Sequence, residues 1–309
     1  MIRSFLPLDA VDILLQGRSL SNRARTKDTA ARKETTFTNL VELLGQWFSP
    51  RVRSCAWVRT DGLALRGLAS ARDRCSSQAW EVDRLLVRDQ DGDCCLSLLE
   101  HVSLVGGEHA VQKVFLRLPD TSLLLGAAGE AGFLPYVTER LYWLEKGVGG
   151  VESGSPGGES PPAVLRRRTQ AADEYRLFEL YEKCVPTLVR RVEGVTFAQW
   201  KANKDRSTGQ EWVFEKDGVL IGWIAFRSDR DRGQFEVITA SDEDLERIVE
   251  YGLACLSGCR HLYCLVPEFE HTLCRLLELR GFSQMSKYSA LAKDLMVRVE
   301  EPCFMPVRA

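Results

Sequence analysis

The sequence has no apolar run approaching the ~20 residues that a membrane span requires, and no excess of either charge. Its 41 Lys and Arg face 43 Asp and Glu, for a formal net charge of −2. An even balance of this kind gives no electrostatic reason to expect nucleic acid, and it reads as a solvated, ion-paired surface. Histidine is scarce: His101, His109 and His271 stand alone, without metal or triad spacing. No Walker-type or dinucleotide fingerprint occurs. No Cys-x-x-Cys pair occurs among the ten cysteines, which also lack the density and regular spacing of a secreted disulfide scaffold. Cys255, Cys259, His261, Cys264 and Cys274 come near one another, but this spacing favours packing over a zinc site, so no metal is expected. The N-terminal MIRSFLPLDAVDILLQ carries Asp9 and Asp12 within its apolar part and makes a poor signal peptide. A reducing cytoplasm is the expected compartment.

A chain of 309 residues, 45% hydrophobic and 27% charged, is long for one core, and two domains are the natural prior. The sharpest compositional change is GVGGVESGSPGGESPP, which reads as a linker over 147–162. It separates an N-terminal domain (1–146) from a C-terminal domain (163–299) and a short tail (300–309). A polar stretch rich in Arg, Lys and Thr, Ser19 to Thr36, reads as a long mobile loop or irregular helix. It is either a flap over a binding site or a solvated excursion.

What the sequence does contain is a repeat of itself. CAWVRTDGLALRGLASARDRCSSQAWEV (Cys55 to Val82) matches EWVFEKDGVLIGWIAFRSDRDRGQFEV (Glu211 to Val237): Trp57 with Trp212, Asp61-Gly62 with Asp217-Gly218, Glu81 with Glu236. VFLRLPD parallels LYCLVPE, and each is followed by a short helix pattern ending in Gly-Phe, at Gly132-Phe133 and Gly281-Phe282. The offset drifts from about 156 to about 149 residues, as small loop deletions produce. Each unit reads as strand, helix, a hairpin turning at Asp-Gly, a third strand, a helix, a nearly continuous apolar strand, a helix and a last strand. The order β-α-β-β-β-α-β-α-β is an α+β arrangement, a mixed sheet flanked by helices. Ser241 stands where an N-cap belongs before DEDLERIVEYGLACLSG. Trp57, Trp212, Trp143, Trp200 and Trp223 read as core or interdomain anchors.

That order, with RLLELRGFSQMSKYSALAKDL as its ending, resembles the GNAT acetyltransferase superfamily, and the resemblance covers nearly the whole chain twice. It implies two tandem acyl-CoA N-acyltransferase-like domains, each a mixed, mainly antiparallel twisted sheet, with acetyl-CoA as cofactor and a small-molecule or peptide amine as substrate. In this family a Q/R-x-x-G-x-G/A turn after the third hairpin strand holds the diphosphate through backbone N–H groups and a helix N-terminus. The best match is Asp89 to Cys94, which places the cofactor against Leu86, Val87, Arg88, Gly92, Asp93 and Cys94. Asp89 stands where Gln or Arg is expected and Cys94 where Gly or Ala is expected, so Asp89, Asp91 and Asp93 crowd the diphosphate position. The second turn, Ala240 to Leu245, has no glycine, and its acids suit a helix dipole better than a phosphate. The tyrosine that many members carry about four residues before Gly-Phe is replaced by Ala128 and Leu277.

Acyl transfer also requires a general base. Glu81 and Glu236, at matching strand positions beside the clefts, are the candidate catalytic bases; the plainer reading makes them outward-facing strand carboxylates. Tyr136 and Tyr288, after each Gly-Phe, read as packing or rim residues. Cys94 and Cys95 open a helix, where a thiolate is somewhat stabilised, but no histidine accompanies them. Two functions follow. One is an N-acyltransferase that binds acyl-CoA in its N-terminal half; the other is a catalytically silent GNAT-fold module for ligand binding or scaffolding.

Overall fold

The computed structural model describes residues 1–15, 20–30, 54–62, 64–146, 164–205 and 209–296. The proposed linker, the C-terminal tail and residues 31–36 of the polar stretch lie outside them. The first unit runs β1 (Ile2–Ser4), α1 (Asp9–Leu15), β2 (Leu20–Asn22), α2 (Lys27–Ala30), β3 (Ser54–Asp61), β4 (Ala64–Asp73), β5 (Ala79–Arg88), α3 (Gly92–Glu108), β6 (Lys113–Pro119), α4 (Leu124–Glu130) and β7 (Leu134–Glu145). The second runs β8 (Val164–Arg168), α5 (Glu174–Cys184), α6 (Thr187–Glu193), α7 (Phe197–Asn203), β9 (Gln210–Lys216), β10 (Val219–Asp229), β11 (Arg232–Thr239), α8 (Asp242–Cys255), β12 (His261–Pro267), α9 (His271–Leu279) and β13 (Ser283–Asp294). The repeated order read from the sequence is present in both halves. To it the first half adds β2 and α2, and the second adds α6 and α7.

Local chemistry explains the repeated features. Asp217 and Gly218 take φ of 50° and 77°, the two left-handed residues of a tight hairpin turn whose twist matches its strands. At each Gly-Phe the glycine adopts a left-handed φ, 85° at Gly132 and 84° at Gly281. The phenylalanine N–H then reaches back to the helix: Phe133 donates to the Ala128 carbonyl and Phe282 to that of Leu277, at 2.9 and 3.0 Å. This is a glycine-dependent C-terminal cap, and it drives each phenylalanine into its own core. Leu277, where the resemblance places a tyrosine, is fully buried in the second core.

The strands form one sheet in the order β1-β3-β4-β5-β6-β13-β7-β12-β11-β10-β9-β8, with β2 on β5. The closing strands are exchanged. β13, from the end of the chain, pairs with β6 of the first unit, and β7 pairs with β12 of the second. β7 and β13 also pair with each other over Ser283 to Ala292, so the two units meet through continuous hydrogen bonding. Each helical layer seats close to its sheet at a glycine. A side chain at Gly67 would meet Cys94 Sγ and the Leu86 carbonyl at 2.8 Å, and one at the matching Gly222 would meet Ile248 Cδ1 at 2.4 Å. Gly222→Val is therefore an overpacking change: it should lower unfolding free energy by roughly 1–3 kcal/mol, measured by denaturant titration. An unchanged midpoint would show that α8 shifts freely.

A candidate active site in the second wedge

Among the described residues the only parallel pairing in each unit lies between the third hairpin strand and the next strand, and it is short. β5 and β6 are in register only from Ala79–Lys113 to Glu81–Phe115. β11 and β12 are in register from Arg232–His261 to Phe235–Cys264. Beyond these residues the strands diverge into a wedge, and the two wedges have different fates.

The first wedge is filled by the chain itself. β2 pairs antiparallel with β5, Leu20 opposite Arg88 and Asn22 opposite Leu86. Arg23 N–H donates to the Leu85 carbonyl (2.9 Å), and Arg25 N–H crosses to the Arg117 carbonyl on β6 (3.0 Å). The Asn22 side chain accepts from Leu85 N–H at 2.9 Å. Residues 20–30 of the polar stretch are thus neither flap nor solvated excursion; Leu20, Ala24, Thr26 and Ala30 are buried. Their backbone groups satisfy the edges that a diverging strand pair exposes, which composition alone does not reveal.

This placement bears on each residue assigned to the cofactor in the first half. Leu86 and Val87 are fully buried, with β4 on one side and β2 on the other. Arg88 is half-buried at the strand end, beside Asp89. The following turn closes on itself: Asp91 caps α3 by accepting from Cys94 N–H at 3.0 Å and holds Arg66 at 3.1 Å. The Asp93 carbonyl accepts from Arg59. Burial pushes the thiols of Cys94 and Cys95 up to about 11 and about 12, away from thiolate character. A side chain at Gly92 would find only Ala127 Cβ, at 3.9 Å, so no close approach requires glycine there. Gly92→Ala should leave thermal stability within about 1 kcal/mol of the parent or slightly above it; a larger loss in a thermal melt would mean that the turn depends on its glycine.

The second wedge is open. It leads into a cleft with a cavity volume of about 180 Å³, space on the order of ten waters. Val237 and Ile238 line it from β11, Leu265 and Pro267 from β12, and Phe269, Glu270 and Leu273 from the start of α9. Leu177, Leu180 and Tyr181 of α5, Val189 and Glu193 of α6, and Trp200 of α7 form the opposite wall. The floor comes from the first unit, because the filling segment continues into it. Lys27 Nζ lies 2.5 Å from Glu236 and 3.6 Å from Asp205, and Arg74 pairs with Asp205 while lying over the Phe115 ring.

The two candidate carboxylates separate here. Glu236 stands where β11 leaves β12 and faces the cleft beside Lys27. Glu81 is buried, with Arg72 at 3.0 Å and Arg117 at 3.6 Å, in a network that continues from Arg117 to Glu139 across β13. It is therefore not an outward-facing residue. Burial opposes ionisation of Asp205, but Arg74, Lys27 and Arg117 hold its carboxyl below the usual range.

Glu193 was not singled out in the sequence, and only the fold brings it to the cleft. Its carboxylate accepts from Tyr181 OH at 3.0 Å and from Tyr136 OH at 3.3 Å. Burial pushes its pKa up, against the pull of Lys27 and Arg74, and burial likewise keeps both phenols protonated. Tyr288 sits in the core and donates to the Ala30 carbonyl at 3.3 Å. Cys259, Cys264 and Cys274 pack in the second core. Among the described residues, no helix is long and apolar enough to cross a membrane.

Glu193 and Asp205 have opposite pH signatures. A raised folded-state pKa penalises the ionised protein at neutral pH, and the penalty fades as pH falls through that pKa; a lowered one stabilises above the unfolded value and is lost as pH drops. Glu193→Gln should therefore raise the melting temperature at pH 7 and lose the gain near pH 4. Asp205→Asn should lower it at pH 7 and cost progressively less below that carboxyl's ordinary range. Melting curves that shift in parallel for Glu193→Gln between about pH 4 and 7, or for Asp205→Asn between about pH 2 and 5, would remove this account.

No family model and no curated protein sequence matches the chain. Solved structures do. The tandem GNAT protein from the clavulanic acid biosynthesis pathway, solved without acetyl-CoA, superposes with a TM-score of 0.55 at 13% identity over 95% of this chain and 98% of that one. A GCN5-related N-acetyltransferase from Sphaerobacter thermophilus gives 0.54 at 15% over 97% of each chain. A putative acetyltransferase from Pyrococcus horikoshii gives 0.51 at 12% over 96% and 90%. At these identities the likeness establishes the fold: the chain has the tandem GNAT architecture expected from its repeat.

Proposed function

We propose that the protein is an acyl-CoA-dependent N-acyltransferase working in its second wedge, and that the first unit serves as scaffold and floor. The observation that carries this reading is the contrast between the wedges, one filled by residues 20–26 and the other open onto a cleft with acid–base groups. The fit to an acyl-CoA is good along the arm. Among the described residues no strand pairs with the β11 edge facing β12 beyond Phe235, which supports hydrogen bonding of a pantetheine-like chain's amides to the backbone of Glu236 to Thr239. The fit is poorer at the mouth, where Asp242, Glu243 and Asp244 fill the first turn of α8 and oppose a diphosphate.

When bound, the acyl-CoA supplies an activated thioester carbonyl. The protein's part is to orient the amine, exclude water through the apolar walls of α5 and α6, and accept a proton. Glu193 suits the last role, since a carboxylate with a raised pKa is a better base near neutrality. Tyr181 and Tyr136 hold it in place. Glu236, clamped by Lys27, fixes the charge where the strands part.

The decisive measurement is calorimetry of the full chain with acetyl-CoA, alongside Val237→Trp, which fills the open wedge, and Gly92→Ala in the first turn. One site per chain, lost in Val237→Trp and retained in Gly92→Ala, is expected. Loss in Gly92→Ala alone would place the cofactor in the first half. The catalytically silent reading is favoured by the acids of α8 and by Leu277 in the tyrosine position. It prevails if acetyl-CoA binds without turnover on any amine, or if neither acetyl-CoA nor CoA binds below millimolar concentration.

A further inference from the structure

Among the described residues six carboxylates line the cleft: Asp28, Glu139, Glu193, Asp205, Glu236 and Glu270. Four are matched by cations of the protein. Arg227 holds Asp28 at 2.6 Å, Arg117 holds Glu139, Arg74 holds Asp205, and Lys27 holds Glu236 at 2.5 Å. Among the described residues Glu193 and Glu270 have no cation within ion-pair distance, and their surroundings differ. Glu270 is the N-cap of α9, where the helix dipole offsets a negative charge. Glu193 is the last residue of α6, where the dipole adds to the cost, and only two phenols hold its carboxylate. A carboxylate held inside a cleft without a cation in contact is expensive; Lys27 and Arg74 offset part of that cost from a distance, and a bound cation would lower it further.

The rest of the cleft narrows the cation's identity. Its walls beside Glu193 are Leu177, Leu180, Val185, Val189 and Trp200, which suit an apolar body. Among the described residues every cation lining it is engaged. Lys204 lies 5.5 Å from the rings of both Trp200 and Trp223 and 3.8 Å from Glu211, and Lys27, Arg74 and Arg227 are in the pairs already described. A carboxylate on the ligand would have to break one of these pairs.

We propose that the cleft selects a primary amine carried on an apolar body and bearing no carboxylate, its ammonium seated on Glu193. The inference rests on the acyl-transfer reading only in making this amine the acyl acceptor. As acceptor, the ammonium gives one proton to the Glu193 carboxylate; the free nitrogen forms the new amide bond while the thioester C–S bond breaks, and the second amine proton leaves with the thiolate as thiol.

Calorimetry on the full chain, without acyl donor, tests the binding with 2-phenylethylamine, phenylalanine and 2-phenylethanol as probes. The amine should bind, and the amino acid and the alcohol should each bind at least tenfold more weakly. E193Q, checked for folding by circular dichroism, should lose at least tenfold for the amine while its acetyl-CoA affinity stays unchanged. Equal binding of phenylalanine, no binding of the amine at millimolar concentration, or undiminished amine binding by folded E193Q overturns the proposal. The probe series needs no variant, so it decides even if E193Q does not fold. Amine binding without acetyl-CoA binding would sink acyl transfer and leave this inference standing; acetyl transfer to phenylalanine at the same rate would do the reverse.

Discussion

A pair of parallel strands that stays hydrogen-bonded for only three or four residues exposes two backbone edges, and each needs a partner. This constraint, met twice in the chain, organises the molecule. In the first unit the partner is the chain's own segment after α1, which pairs with β5 and bonds to β6. In the second, among the described residues, the edge past Phe235 is unpaired and faces a cleft. Two units of common pattern thereby come to differ, one with a filled wedge and one with a cleft.

The filling segment also links the halves chemically. Having satisfied the first wedge, it turns into α2 and delivers Lys27 and Asp28 to the floor of the second, where they meet Glu236 and Arg227. The exchange of β7 and β13 brings Arg117 and Glu139 onto the same face, with the small Ala290 opposite Arg117 between them. The charged network is therefore built from both units and is unavailable to either alone. Its internal pairing is nearly complete, so the exception at Glu193 carries information.

Much of this was legible in the sequence. The repeat, the Asp-Gly hairpin turns, the Gly-Phe caps and the α+β order follow from local rules: left-handed glycines, apolar periodicity and turn chemistry act within a few residues and read the same in any context. The acidic residues before α3 and in the first turn of α8, and Ala128 and Leu277 before the two Gly-Phe pairs, were equally visible. Other features were not. Ser19 to Thr36 reads as solvated because its composition is polar, yet residues 20–30 are held by backbone bonds to β5 and β6 that composition does not encode. Ser241 occupies the N-cap position of α8 as expected, but its hydroxyl makes no capping bond.

The sequence by itself determined the frame: two units, their element order and their turns, because those depend on interactions between near neighbours. Tertiary structure alone decided which wedge is filled, which of the matched glutamates faces a cleft, and that among the described residues Glu193 has no cation within ion-pair distance. Each of these depends on contacts between residues far apart in the chain, such as Lys27 with Glu236, Arg74 with Asp205 and Tyr136 with Glu193. Glu81 and Glu236 match in sequence and in strand position, and the difference between them lies wholly in what the opposite half places beside them.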